Sequence, residues 1–220
     1  MIKLSFEYSQ EFEVERIKST LKRIDWYLAN RYNLKALSFP EGFDLERLKR
    51  ISGQELLIAV ETEYDENKFI ASTEDIKQTY QKYEPALEDL IEEIGLTPIP
   101  EVRIELTRYG ISGSYHLPNE IIVNIARHYN IGLLRNVLHE IIHLHLEPLI
   151  IEYKIDQWGK ETLVNLLFQR AFPELNKENY NPSDTTTLTK IFETHYPDIE
   201  KIVSLAPSEP VNPRQQIRES

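Results

Sequence analysis

The chain has 220 residues, 41% of them hydrophobic and 28% charged, a composition typical of one soluble globular domain or of a catalytic domain with a smaller extension. Its 36 acidic and 25 basic residues give a net charge of −11, which argues against partners such as nucleic acids or anionic membrane surfaces. It has no cysteine, which excludes disulfides, thiolate metal sites and cysteine nucleophiles, so any metal must be held by histidines and carboxylates.

The first residues of the chain, Met1 to Ser9, lack the apolar core of a signal peptide. No stretch of about 18 uncharged apolar residues follows, so the sequence predicts no membrane span. We therefore expect a cytoplasmic protein, with which the absence of cysteine is compatible.

The first third of the chain is predicted to be mostly helical. The segment 41–70 fits either short helices or a buried strand. An apolar stripe over 73–94 predicts a long helix, which Gly95 and Pro98 end. An earlier helix is indicated by apolar residues at spacings of four, three and four: Ile17, Leu21, Ile24 and Leu28.

The pattern changes to that of a sheet near residue 99. Val102, Ile104 and Leu106 alternate with polar residues, which predicts a half-buried strand. Residues 109–119 include two glycines and a proline and are predicted to form a loop. Residues 120–125 are predicted to form a second strand.

The remainder of the chain is predicted to be helical over 131–147, 157–172 and 185–204, with Pro148 interrupting the first of these helices. We therefore expect an α+β protein, mostly helical with a small sheet. Its predicted parts are a mainly helical N-terminal region, a region that contains the sheet and a disordered polar tail, over 1–98, 99–204 and 205–220.

The pattern H-E-x-x-H, formed by His139, Glu140 and His143, lies inside the apolar helix predicted over 131–147. Four residues advance an α-helix by about 400°, so the two imidazoles lie about 40° apart around the axis and can bind one metal ion. Glu140 lies too far around the helix axis from the two histidines to bind the same metal ion. It can, however, accept a hydrogen bond from a water on the metal and take a proton from that water.

A third ligand is expected farther along the chain. Glu147 lies about 12 Å along the helix axis from His139, too far to share its metal ion, and is interpreted as a helix-end carboxylate. His145 points about 160° away from His143 and is not expected to bind the metal. Three later carboxylates remain candidates: Glu152, Asp156 and Glu161.

Glu161 is the preferred third ligand. A reversal of the chain after Pro148 lets a second helix fold back onto the first, and Glu161 then lies about one turn into that helix. Asp156 has a shorter side chain and is expected to cap the second helix. Glu152 would have to reach the metal from the connecting segment.

Together, His139, Glu140, His143 and Glu161 resemble the gluzincin branch of the zincin metallopeptidases, which includes thermolysin-like enzymes. In that branch, H-E-x-x-H on one helix is followed about twenty residues later by a glutamate ligand on the next helix. Here the gap is 18 residues, and the resemblance covers residues 100–172. It implies that residues 99–204 form a zincin-like metallopeptidase region. It also implies a zincin-like active-site helix, one Zn²⁺ held by the two histidines and Glu161, and catalysis by Glu140.

Other features follow from the same resemblance. Asn165 stands where thermolysin-like enzymes have an Asp that pairs with a zinc histidine, so it is expected to be a weaker partner of that kind. The strand over 120–125 either corresponds to the edge strand that pairs with a bound peptide in zincins or is an ordinary member of the sheet. Thermolysin-like enzymes have a downstream His or Tyr that stabilises the oxyanion, and His195 and Tyr196 match it in order. Independently of the resemblance, the loop before the strand offers further candidates for this role: Tyr109, Tyr115 and His116. For each of the five, the alternative is a structural or exposed residue.

The expected function is zinc-dependent hydrolysis of peptide bonds, with a metal-bound water activated by Glu140. The chain would then be a hydrolase acting on a peptide or protein substrate. Two other functions are also compatible with the sequence. One is a zinc-stabilised binding or regulatory module without catalytic activity, and the other is a structural helical protein without a metal.

Overall fold

The structure of the protein is a computed structural model that describes residues 2–30, 32–126, 131–175 and 186–206. The tail predicted to be disordered lies outside the described residues from position 207 onward. The strands are β1 (Lys3–Glu7), β2 (Glu101–Thr107), β3 (Gly113–His116) and β4 (Glu120–Asn124). The helices are α1 (Gln10–Lys22), α2 (Ile24–Ala29), α3 (Leu45–Leu48), α4 (Gly53–Glu63), α5 (Glu66–Glu93), α6 (Ile131–Tyr153), α7 (Gln157–Ala171), α8 (Thr186–His195) and α9 (Ile199–Leu205).

The four strands form one sheet in the order β1-β2-β4-β3. Strands β1, β2 and β4 are parallel, whereas β3 runs antiparallel to β4 and lies at the edge. The sequence left open whether the strand over 120–125 is an edge strand or an ordinary member of the sheet, and the structure shows an ordinary member, β4, between β2 and β3. The segment 109–119 folds back as β3 and covers that side of β4.

The core lies between one face of this sheet and the helices α5 and α6. The predicted alternation in β2 holds over 102–106, because Val102, Ile104 and Leu106 are fully buried while Arg103 is exposed. It fails at Thr107, which is also buried. Each large apolar side chain buried in this way contributes about 1.5–3 kcal/mol. A second, smaller cluster joins α1, α3 and α4, with Ile17, Leu48 and Val60 among its members.

Two prolines lie inside helices. Helix α5 begins at Glu66, earlier than predicted, and continues through Pro85. Helix α6 was predicted to be interrupted at Pro148, but it continues to Tyr153. A proline removes one backbone hydrogen bond, and apolar packing on both sides of Pro148 outweighs that loss because Leu146 and Ile150 are buried. The chain therefore reverses one turn and a half later than predicted.

The described residues are mostly helical with a small sheet, which confirms the predicted α+β class. The helix predicted over 185–204 is two helices, α8 and α9, because the chain leaves the helical path between His195 and Ile199. Strand β1 pairs with β2, so the sheet contains strands from both sides of the predicted boundary at position 98. None of the helices in the described ranges is long and apolar enough to cross a bilayer.

Candidate metal centre

Helices α6 and α7 bring together the three residues that the sequence predicted as metal ligands. His139 and His143 lie one turn apart on α6, and their Nε2 atoms are 3.1 Å apart. Oε2 of Glu161, on α7, is 3.5 Å from each of these nitrogens. His139, His143 and Glu161 therefore form a group that could hold a metal ion.

The position of Glu161 follows from how the chain leaves α6. Lys154, just after α6, adopts a left-handed conformation with φ 53°, and Asp156 then caps α7 by accepting a hydrogen bond from Gly159 N at 2.6 Å. Helix α7 buries Leu163 and Leu167, which keeps it packed beside α6. Of the two other carboxylates considered, Asp156 serves as this cap and Glu152 is exposed, and neither joins the group.

The spacing of the three ligand atoms fits one face of a zinc tetrahedron. With zinc–ligand distances of about 2.0–2.1 Å, neighbouring ligand atoms of a tetrahedral site lie about 3.3–3.4 Å apart. The observed separations are 3.1, 3.5 and 3.5 Å. The side chain of His143 is only 2% exposed, whereas those of His139 and Glu161 are 22% and 20% exposed, so the group is open to solvent on one side.

The charges of the three side chains suit a cation. Burial lowers the pKa of His143 to about 4, so this imidazole is neutral at pH 7. Burial alone would raise the pKa of Glu161, but hydrogen bonds from His139 and His143 lower it well below its usual value. Burial also lowers the pKa of His139, and the hydrogen bond to Glu161 and the nearby carboxylates more than compensate, so this pKa is raised. The group thus offers an ionised carboxylate next to a neutral imidazole.

Glu140 lies beside the group, on the side of strand β3. Its residue is 8% exposed, and burial raises the pKa of its carboxyl to about 7. Gly113 makes room for it, because a Cβ atom at position 113 would lie only 2.9 Å from Glu140 Cδ. None of the described residues donates a hydrogen bond to this carboxylate, so it can accept one from another molecule.

Tyr115, on β3, packs against the most buried histidine of the group. Its ring stacks on that of His143, with centroids 4.8 Å apart and an angle of 11° between the planes. Its hydroxyl donates a hydrogen bond to Glu147 Oε2 and accepts one from Lys160 Nζ, both at 2.6 Å. Glu147 is therefore a partner of Tyr115, and it is not a helix-end carboxylate as predicted, because α6 continues to Tyr153. The stacked ring restricts the orientation of the His143 imidazole.

The predicted pairing of Asn165 with an imidazole is not seen for His143. Asn165 Nδ2 donates instead to the carbonyl of Glu161, four residues earlier on α7, at 2.7 Å. His143 Nδ1 is buried without a hydrogen-bond partner among the described residues. His145 lies outside the group, as expected, because its ring nitrogens contact Ile99 N and the Ile141 carbonyl.

Of the residues predicted to stabilise an oxyanion, the structure brings Tyr115 into contact with the group. The hydroxyl of Tyr109 donates a hydrogen bond to the carboxylate of Glu63, and the hydroxyl of Tyr196 donates one to the carboxylate of Glu93. His116 follows Tyr115 on β3, and because successive side chains of a strand point to opposite faces, it lies on the face away from α6. His195 ends α8 and is not part of the group.

Two side chains that the sequence did not single out complete the surroundings of Glu161. Gln157 Nε2 donates a hydrogen bond to Glu161 Oε1 at 2.8 Å and a second one to the Tyr32 hydroxyl at 3.0 Å. The spacing of four between Gln157 and Glu161 could have indicated their contact. Tyr32 is 125 residues away from Gln157, so no local pattern points to it.

Comparisons of the chain with protein families, with curated proteins and with solved structures found no match. Conclusions about the function of the group of His139, His143 and Glu161 therefore depend on its own geometry and chemistry.

Proposed function

We propose that the chain is a zinc-dependent metallopeptidase. The observation that carries the proposal is the convergence of His139 Nε2, His143 Nε2 and Glu161 Oε2 at separations that fit a tetrahedral zinc site. These three side chains would hold the ion. When bound, zinc supplies a Lewis acid that lowers the pKa of a water in its open position and polarises a carbonyl.

Glu140 is the proposed general base and acid. It neighbours His139 in sequence, faces Gly113, and has no hydrogen-bond donor among the described residues. Its carboxylate can therefore take a proton from the attacking water while the water oxygen bonds to the scissile carbonyl carbon. The same carboxyl group then passes this proton to the amide nitrogen as the C–N bond breaks.

The edge strand β3 is the proposed binding site for an extended peptide. Its outer edge pairs with no other strand in the part of the chain that the structure describes. Gly113, at the start of β3, lies against Glu140, so a peptide added along this edge would pass beside the proposed base. Backbone hydrogen bonds of this kind give affinity for many different sequences, which suits a peptidase.

The test combines metal analysis with cleavage of a peptide library by untagged full-length protein. We expect about one zinc ion per chain, as a single three-ligand site requires, and cleavage that depends on the metal. Glu140→Gln should retain zinc and the fold but lose hydrolysis, because the amide cannot take a proton. Equal cleavage by the two proteins would assign the activity to a contaminant. Zinc binding without any cleavage would favour the non-catalytic zinc module instead.

A further inference from the structure

The N-terminal segment that contains α2 is linked to the proposed metal centre through the side chain of Tyr32. We propose that Tyr32 is a positioning residue, which holds the ligand Glu161 in its metal-binding orientation through Gln157. This inference rests on the proposed metal centre. It gives the N-terminal region, which the resemblance to zincins left unexplained, a direct part in that centre.

The hydrogen bonds around Gln157 define the orientation of Glu161. The carboxylate has two oxygens, and only Oε2 faces the two histidine nitrogens, at 3.5 Å from each. The other oxygen, Oε1, accepts the hydrogen bond from Gln157 Nε2 at 2.8 Å. With Oε1 occupied, the carboxylate cannot rotate without breaking a hydrogen bond to an ionised group, an interaction worth about 1.5–3 kcal/mol.

Tyr32 in turn fixes the amide of Gln157. The amide nitrogen carries two hydrogens, and each has one acceptor, Glu161 Oε1 and the Tyr32 hydroxyl oxygen. If the amide turned over, its oxygen would face the Glu161 carboxylate and be repelled. The carboxylate thus selects the amide orientation, and the Tyr32 hydroxyl, as the second acceptor, holds the amide nitrogen in place beside the ligand.

Packing holds Tyr32 in place from both sides. Its ring stacks on Trp158, which follows Gln157 on α7, at a centroid distance of 6.0 Å, and also contacts Trp26 and Tyr27 of α2 at 5.5 and 5.6 Å. These four side chains join α2 to the first turn of α7. The position of Tyr32 is thus set by a ring cluster that spans the N-terminal region and the helix of the third ligand.

This arrangement couples metal binding to the cluster. If ordering of Tyr32 favours the ligand orientation of Glu161, then metal bound to Glu161 must favour the ordered cluster by the same factor. Trp26 and Trp158 are the two tryptophans of the chain, and both contact Tyr32. Intrinsic tryptophan fluorescence therefore reports on the cluster during a zinc titration.

The experiment compares zinc binding by the wild-type chain, Tyr32→Phe, Gln157→Met and the double variant, using a competing chelator. Phenylalanine keeps the stacked ring and removes only the hydroxyl. We expect each single variant to bind zinc about tenfold or more weakly, as is usual when a partner of a metal ligand is lost. The double variant should be no weaker than Gln157→Met alone, because both changes act on one chain of hydrogen bonds.

Tyr153→Phe is the matched control, because its hydroxyl bonds the exposed Glu200 at 3.3 Å, outside the cluster. It should bind zinc as the wild type does. The Co²⁺-loaded proteins give a second readout, since the visible spectrum depends on ligand geometry and should change in Tyr32→Phe but not in the control. Gln157→Met leaves the ring cluster intact and decides the matter if Tyr32→Phe does not fold.

Two results would overturn the inference in different ways. Equal zinc affinity of Tyr32→Phe, Gln157→Met and the control, with a wild type that binds zinc, would show that Tyr32 does not position Glu161. A wild-type chain that binds neither zinc nor cobalt would refute the metal centre itself and, with it, the proposed function.

Discussion

The phenol ring of Tyr115 lies parallel to the imidazole of His143, 4.8 Å away, and its hydroxyl is held by Glu147 and Lys160. In many metal sites the orientation of a histidine ligand is fixed by a hydrogen bond to its second nitrogen. His143 Nδ1 has no such partner among the described residues, so the stacked ring of Tyr115 restricts the orientation of this imidazole instead.

We therefore expect Tyr115→Phe and Tyr115→Ala to differ sharply. Phenylalanine keeps the stack and loses only the hydrogen bonds of the hydroxyl to two charged groups, at a cost of about 1.5–3 kcal/mol in unfolding free energy. Its zinc affinity should stay within a few-fold of wild type. Alanine removes the ring that restricts His143, so its zinc affinity should fall at least tenfold. Chelator competition and urea unfolding measure the two effects, and equal zinc affinity in both variants would argue against the stack.

The second prediction concerns the third ligand. Glu161→Ala should lower the zinc affinity by orders of magnitude, because an ionised ligand of a three-residue site is lost. Asp156→Ala should instead cost about 0.5–2 kcal/mol of stability, as the loss of a helix cap does. Glu152→Ala should change neither quantity appreciably. If zinc were released by Glu152→Ala and not by Glu161→Ala in a chelator titration, the group seen here would not be the metal site.

The third prediction tests the space around Glu140. A Cβ at position 113 would overlap the Glu140 carboxylate, so Gly113→Ala should displace it and lower the rate of peptide cleavage while zinc stays bound. Such overpacking usually costs about 1–3 kcal/mol. Gly53→Ala, in the first turn of α4, is the matched control, since no described heavy atom lies within 4 Å of its added Cβ. Unchanged cleavage by Gly113→Ala would show that Glu140 tolerates displacement or is not the base.

The fourth prediction concerns pH. Glu13 is fully buried and accepts hydrogen bonds from Thr107 Oγ1 at 2.5 Å and Arg108 N at 2.9 Å. Burial raises the pKa of its carboxyl from 4.5 to about 7, although these hydrogen bonds oppose the shift. Because the folded state binds the proton more tightly, this contribution to stability is complete below pH 4.5 and is lost as the pH rises through about 7.

The unfolding free energy should therefore decline between about pH 5 and about pH 8 by an amount on the order of 3 kcal/mol or less. Glu13→Gln cannot ionise, so its stability should decline less over the same interval, even though its amide accepts fewer hydrogen bonds. Urea unfolding of both proteins at several pH values checks this. Parallel curves would show that Glu13 does not titrate in this range.

The sequence predicted the helical half of the site because helical geometry is local. His139 and His143 are separated by one helical turn, so their proximity follows from the period of the α-helix alone. The prediction of Glu161 as the third ligand depended only on a reversal of the chain and on Asp156 capping the returning helix. Asp156 forms that cap. The point of reversal was misplaced because Pro148 does not end α6 when the residues around it are buried.

The remaining parts of the site depend on contacts that no local pattern encodes. Strand β3 spans only four residues and lies between Gly110 and Pro118. Because these turn-forming residues are close on both sides, the sequence predicted a loop there and not a strand. Its existence depends on pairing with β4, as the register of Tyr115 with Ile121 shows. Tyr32 reaches Gln157 through the tertiary fold of the N-terminal region, and sequence periodicity carries no information about such a contact.

The pairing of β1 with β2 has a consequence for the order of folding. Lys3 pairs with Glu101, so all of the first five helices lie within the loop that this pairing closes. Closing so long a loop is entropically unfavourable until the intervening helices have become compact. By contrast, β3, β4, α6 and α7 contact one another over much shorter separations. We expect β1 to join the sheet last, after the helices that carry His139, His143 and Glu161 have already met.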